Sequence, residues 1–177
     1  IIQMGQLKED GSERTLVVSG CFSERYREEV AEQFPEVDLW VGVKDWVDEV
    51  IVIDSHSTDN GPAIAKALGA RVFVRDWQGY GSQKRYGEDQ CRNDWWFNID
   101  ADEVVTAELA LEIQALFSNG PPLPAAYKVR IPYIYPGDVK PRPFARDYNV
   151  VRFYHKQQGR YRDHPVYDRV ELTSGAT

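Results

Sequence analysis

Three polar clusters in the 177-residue chain have residue types and spacings that could do chemistry. The first lies in Trp95-Trp96-Phe97-Asn98-Ile99-Asp100-Ala101-Asp102-Glu103, where an apolar run delivers Asp100 to its end and Asp102 follows two residues later. Alternate residues of an extended chain share a face, so both carboxylates would aim the same way. Such a pair suits a hard divalent cation facing a diphosphate, and it equally suits an acidic turn before a helix. The second is Ile51-Val52-Ile53-Asp54-Ser55-His56-Ser57-Thr58-Asp59. Here Asp54 could accept hydrogen bonds from a ribose or base, while Ser57, Thr58 and Asp59 have the chemistry of helix caps. The third is Asp76-Trp77-Gln78-Gly79-Tyr80-Gly81-Ser82-Gln83-Lys84-Arg85, whose glycines allow close backbone approach and whose Lys84 and Arg85 offer charge for phosphates. As an exposed loop it would need neither role.

The elements that must position these groups alternate between strands and helices. Short apolar runs predict strands at Thr15–Ser19, Asp38–Val43, Glu49–Asp54, Arg71–Arg75, Trp95–Ile99, Tyr127–Ile131 and Asn149–Tyr154. A helix capped by Ser23 carries Tyr26, Val30 and Phe34 on one stripe, and a short helix spans Pro62–Leu68 with Gly69 at its end. A weakly patterned helix spans Ser82–Gln90, and Thr106 caps another bearing Leu109, Ile113 and Leu116. This order predicts an α/β fold with a mostly parallel sheet covered on both faces. Ligands of such sheets collect beyond the carboxyl ends of the strands, where Asp54 and Asp100 would stand. Asp100 and Asp102 are therefore expected beside Asp54 at one edge.

Composition bounds the possibilities. With 42% hydrophobic and 28% charged residues, the chain reads as an ordinary globular domain. A net charge of −7 argues against nucleic acid as a partner. No apolar run reaches the ~20 residues that span a bilayer, and no basic start with an apolar core marks a signal peptide. Cys21 and Cys91 form neither a disulfide framework nor a zinc pattern, which favours a reducing cytoplasmic compartment. Residues 128–177 carry ten basic and five acidic side chains, among them Arg142, Arg146, Arg152, Lys156, Arg160 and Arg162. That third either balances an acidic body or offers a surface to phosphates and anionic headgroups.

Taken together, WVDEVIVIDSHSTDN, RVFVRDWQGYGSQKRYGEDQ, DWWFNIDADEVVTAELALEI and GRYRDHPVYDRV resemble the family 2 glycosyltransferases, most of all the branch acting on lipopolysaccharide core sugars. The resemblance implies the GT-A fold and inverting transfer of a sugar from a nucleotide diphosphate sugar to a saccharide or lipid-linked acceptor. It implies a cytoplasmic protein, with peripheral contact at the inner membrane as an option. Asp54 would touch the nucleoside, Lys84 would lie near the nucleotide, and Asp100 with Asp102 would hold Mg²⁺ or Mn²⁺ and the diphosphate. An acceptor hydroxyl must lose a proton as it attacks, so a carboxylate base is required. Asp168 is the first choice and Asp163 the second, with His164 read as a packing or surface residue.

The opening of the chain departs from that pattern. Residues 5–45, including TLVVSGCFSERY, resemble instead the N-terminal domain of radical-SAM methylthiotransferases, with Cys21 in the place of one cluster ligand. One thiolate cannot hold an iron–sulfur cluster, so Cys21 is read as a small buried residue. The expectation is a chimera: a strand–helix–strand unit over 1–45 merged into the sheet, and a glycosyltransferase-like region over 46–177 that stops before its relatives do. An inactive nucleotide-binding chimera and an iron–sulfur methylthiotransferase fragment are the rival readings.

Overall fold

The computed structural model describes residues 46–101, 103, 105–135, 138 and 141–173, together with the backbone of residues 14–19. Strands β1 (Arg14–Ser19), β2 (Glu49–Asp54), β3 (Arg71–Val74), β4 (Trp95–Ile99), β5 (Ala126–Pro132) and β6 (Asp147–His155) form one six-stranded sheet in the order β3-β2-β1-β4-β6-β5. The pairs β3·β2, β2·β1 and β1·β4 are parallel, whereas β6 runs antiparallel to both β4 and β5. Among the described residues, helices α1 (Gly61–Ala67), α2 (Tyr80–Gln90) and α3 (Ala107–Leu116) follow β2, β3 and β4 in turn. A hairpin of β7 (Gly159–Tyr161) and β8 (Val170–Leu172) follows. The α/β, mostly parallel sheet predicted from the sequence is the fold of the described residues.

Strand alternation sorts the core into two faces. Val50, Trp95, Phe97, Ile99 and Phe153 point to one side, where Ala65 of α1, Ala110 and Ile113 of α3, and Phe117 cover them. Ile51, Ile53, Trp96 and Tyr154 point to the other, against Tyr86 of α2 and Tyr161 of β7. Each large apolar side chain buried in this way contributes about 1.5–3 kcal/mol. Trp95 stacks on Phe153 at 5.0 Å between ring centroids, which joins the parallel part of the sheet to its antiparallel extension.

Local chemistry sets the helix ends. Thr106 caps α3, its Oγ1 accepting the Leu109 N–H at 3.2 Å, and Gly69 leaves α1 at φ 86°. The predicted strand at Asp38–Val43, the helix from Ser23 to Phe34 and Cys21 lie outside the described residues. Helix α2 begins at Tyr80 rather than the predicted Ser82, because its first N–H groups are satisfied from far along the chain. Tyr80 N donates to the Pro165 carbonyl at 3.2 Å and Gly81 N to that of His164 at 3.1 Å. The β7–β8 hairpin was not predicted: three-residue strands that include Arg160 and Glu171 carry no pattern long enough to read.

Candidate active site

Helix α2 is weakly amphipathic because the face it buries is polar. Ser82, Gln83, Lys84 and Glu88 are all buried, where a packing helix would present Leu or Val. Opposite this face, strand alternation points Trp96, Asn98 and then Asp100 toward α2. Lys84, only 3% exposed, places its Nζ 2.8 Å from Asp100 Oδ1 and 2.5 Å from Asp168 Oδ2. One ammonium thus joins an acid at the end of β4 to an acid in the loop between β7 and β8.

A second buried cation completes the arrangement. Arg152 of β6 donates Nη1 to Asn98 Oδ1 at 2.7 Å, and Nη2 to Asp100 Oδ2 at 2.8 Å and Glu103 Oε1 at 2.7 Å. Glu103 in turn accepts the Asp100 N–H at 2.8 Å, closing the acidic turn on itself. Tyr161 donates its hydroxyl to Asn98 Oδ1 at 2.9 Å. Below this lies Glu88, which accepts Arg160 Nε at 2.6 Å, the Tyr161 N–H at 2.8 Å and the Tyr154 hydroxyl. These bonds fasten the hairpin to α2 and so fix the loop that carries Asp168.

Burial alone would raise the Asp100 pKa, but Lys84 and Arg152 outweigh it and hold the carboxyl below its ordinary 3.8. For Glu88 and Glu103 burial dominates, and both are pushed above the ordinary 4.5 despite Arg160 and Arg152. The raised pair stabilise the fold fully below pH 4.5, and that contribution fades as pH rises through their folded values. Asp100 does the reverse, contributing above pH 3.8 and losing its contribution as pH falls through its lowered value. The Glu103→Gln variant should therefore gain less stability than the native chain on acidification from pH 7 to pH 4.5, as urea midpoints at the two values would show. An equal gain would mean that Glu103 does not titrate above its ordinary value.

The sequence-predicted residues separate into three positions. Lys84, Asp100 and Asp168 meet. Asp54 stands at the same carboxyl edge as Asp100, with β1 between their strands: Val18 pairs with both Val52 and Ile99. Neighbouring strands lie ~4.8 Å apart, which separates the two strand ends by about 10 Å. Asp54 is 6% exposed and its carboxylate accepts the Ser57 N–H and hydroxyl, the latter at 2.5 Å, so it builds the turn that follows β2. Asp163 accepts the Ser82 hydroxyl and does not reach Lys84's nitrogen in the pairs formed there. Asp102 lies outside the described residues.

Arg85 was read with Lys84 as charge for phosphates, but it donates to the Tyr161 carbonyl at 2.9 Å and belongs to the hairpin. His164 accepts the Val166 and Tyr167 N–H groups on Nδ1, at 3.1 and 3.0 Å, which makes it the organiser of its own loop. Buried Gln83 donates Nε2 to Ser55 at 2.7 Å, and its Oε1 has no partner among the described residues.

The glycines of the third cluster serve a close approach within the chain. A Cβ on Gly81 would lie 2.3 Å from the Arg162 carbonyl oxygen and 2.5 Å from that of Tyr167. Gly81→Ala should destabilise the protein by about 1–3 kcal/mol and push the Asp168 loop off α2. Thermal melting together with faster proteolysis within residues 162–168 would check this. An alanine variant with native melting and native proteolysis would show that the loop accommodates the methyl group.

Charge in the C-terminal third is largely consumed internally. Arg130 pairs with Asp147, Arg142 with Asp138, Lys156 with Asp94, Arg160 with Glu88 and Asp89, and Arg162 with Glu171, while Arg152 is buried. Lys156 and Arg160 pair with acids of the earlier body, whereas Arg130, Arg142 and Arg162 pair with acids of the same third. Sequence reasoning placed Arg152 in that surface set and gave no role to Asn98, Glu103 or Glu88. An arginine within the apolar run Val150-Val151-Arg152-Phe153-Tyr154 was the available signal, since a buried charge requires acids around it.

A divalent cation does not fit the described acids as they stand. Both Asp100 oxygens are engaged by Lys84 and Arg152, and no three metal-ligating side chains converge among the described residues. Cys91, the described cysteine, is buried and directs its thiol to the Asn93 carbonyl.

A mostly parallel sheet with acids and buried cations at its carboxyl edge places the candidate site where ligands of α/β sheets collect. Residues 37–173 match the family model described as Glycosyl transferase family 2, and the chain belongs to that family. It is 47% identical over 116 residues to an uncharacterized glycosyltransferase of Rickettsia prowazekii, covering 65% of this chain and 40% of that one. It is 29% identical over 118 residues to the lipopolysaccharide core biosynthesis glycosyltransferase LpsC of Rhizobium meliloti, covering 64% and 43% respectively. The chain therefore spans about two fifths of the length of these relatives. The second resemblance is also found: the ribosomal protein uS12 methylthiotransferase RimO of Trichlorobacter lovleyi is 36% identical over 76 residues, covering 43% of this chain and 16% of that one.

Proposed function

We propose that this chain carries the donor-binding and base-bearing region of an inverting glycosyltransferase. It would move a sugar from a nucleotide diphosphate sugar to a saccharide or lipid-linked acceptor. The observation that carries the reading is the Lys84 ammonium held between Asp100 and Asp168. Asp168 takes the proton of the acceptor hydroxyl as that oxygen attacks the anomeric carbon, and the nucleoside diphosphate leaves from the opposite side. Lys84 and Arg152 face the negative charge that gathers on the leaving group. The edge near Asp54 receives the nucleoside, where Gln83 Oε1, without a partner among the described residues, suits a ribose hydroxyl donor.

The likeness to LpsC supports a lipopolysaccharide core acceptor, and a lipid-linked acceptor would be met at the cytoplasmic face of the inner membrane. The second reading is a nucleotide-binding chimera that does not turn over. It is favoured by the commitment of Asp54 to Ser57 rather than to an open site.

Calorimetric titration of UDP, with and without Mn²⁺, tests the assignment and the metal together. The expected result is UDP binding; a gain with Mn²⁺ that is lost in Asp102→Asn while the fold persists would assign the cation to Asp102 rather than to the described acids. Equal affinity with and without Mn²⁺ would leave Lys84 and Arg152 as the countercharge to the diphosphate. Absence of UDP binding altogether would remove the transferase reading.

A further inference from the structure

Outboard of Asp168, the described surface carries a group of exposed aromatic rings that the chemistry above does not use. Trp77 is 45% exposed, Tyr80 57% and Tyr167 59%. Such side chains are normally drawn into cores, and clustered exposure of this kind marks binding surfaces. Trp77 and Tyr80 meet edge to face with ring centroids 4.9 Å apart, and His164 and Tyr167 form a second pair at 4.7 Å. The pairs sit on two segments that are bonded together, since Tyr80 and Gly81 donate to the carbonyls of Pro165 and His164.

Helix geometry relates these rings to the acids. Tyr80 and Lys84 are four residues apart on α2 and share a face. The helix runs from Tyr80 at its docking point on the 162–168 loop to Lys84, which reaches Asp100 and Asp168. Tyr167 directly precedes Asp168, and the bonds from Tyr80 and Gly81 to Pro165 and His164 bring the first pair to the same loop.

We infer that Trp77 and Tyr80, with His164 and Tyr167 across from them, form a platform for a pyranose ring of the acceptor. This inference rests on the transferase reading, because Asp168 is taken as the group that deprotonates the acceptor. A pyranose presents a patch of C–H groups on one face and hydroxyls around its rim. Paired aromatic rings hold the first, and neighbouring polar atoms reach the second. The polar atoms at hand are the His56 and Asp76 side chains, bonded to each other at 2.8 Å just before Trp77. Occupying such a platform brings a ring hydroxyl up to Asp168, while His56 and Asp76 border the Asp54 edge, where the Arg75 N–H donates to the Asp54 carbonyl.

Among the described tryptophans Trp77 is the exposed one, because Trp46, Trp95 and Trp96 are buried at 4%, 7% and 0% exposure, so the Trp77→Phe variant isolates its share of the emission. The 177-residue chain, with UDP and Mn²⁺ present, is titrated with deacylated lipopolysaccharide core oligosaccharide while tryptophan emission is followed. Saturable quenching is expected. Trp77→Phe should remove most of that signal, and Tyr80→Ala should weaken oligosaccharide binding about tenfold by calorimetry. UDP affinity should remain native in both variants. A chain that binds UDP yet shows no saccharide response overturns the platform and leaves the nucleotide reading in place. So does a loss of UDP affinity in Tyr80→Ala with saccharide binding intact, which would make the rings a nucleobase stack. Saccharide quenching in a chain that never binds UDP would keep the platform and remove the transferase.

Discussion

Exchange of Asp168 for asparagine should lower turnover by about 10²–10⁴-fold while leaving UDP affinity and thermal melting near native values. The exchange keeps the shape of the side chain and an oxygen for Lys84, but removes the basicity that an acceptor hydroxyl needs. Asp168 is suited to the task by being 41% exposed at its side chain while held by a lysine that is 4% exposed. Asp163→Asn is the matched comparison. Its carboxylate accepts the Ser82 hydroxyl, so its loss should act on loop anchoring and cost little turnover. A rate measurement with sugar donor and core oligosaccharide decides between the two acids, and equal small effects would exclude both as the base. In the non-catalytic reading neither variant changes anything beyond stability.

Arg152→Met should unfold the protein more easily by about 3–5 kcal/mol, because removing one partner strands buried charge. For a chain of this length that corresponds to a melting temperature lower by on the order of 10 °C. Methionine fills much of the volume but supplies none of the donors now given to Asn98, Asp100 and Glu103. The two carboxylates would then face each other with Lys84 as the remaining cation, and the Asp100 pKa should rise. Arg152→Lys restores charge without the fork, so a partial recovery of melting temperature is expected. A methionine variant within about 1 kcal/mol of native stability would show that the network contributes little to the fold.

The parts of this molecule that were legible in sequence are those set by local pattern. β2 and β4 have the bounds expected of them, since EVIVID and WWFNI are apolar runs ended by an acid. The cap at Thr106 is equally local. The site is legible only in halves. Strand logic delivers Asp54 and Asp100 to one edge, but the bond from Lys84 to Asp168 closes over 84 positions of chain, and nothing in either neighbourhood announces the other. Gly79 and Gly81 illustrate the same limit. Their need for space was visible, yet the object that fills it is the 162–168 backbone rather than a phosphate. Arg152 was misplaced because a count of charges by region does not distinguish a solvated arginine from one sealed inside a strand.

Strand β1 is the earliest described strand in the chain, yet it occupies the middle of the sheet between β2 and β4. During synthesis it can pair on one side once β2 has emerged, but its other edge waits for Trp95–Ile99. Through that interval a strand with open N–H and C=O groups is held ready, and any extended segment of another chain can add to it. Slow translation between residues 54 and 95 would lengthen this exposure, and the yield of soluble protein should depend on how quickly that stretch is made.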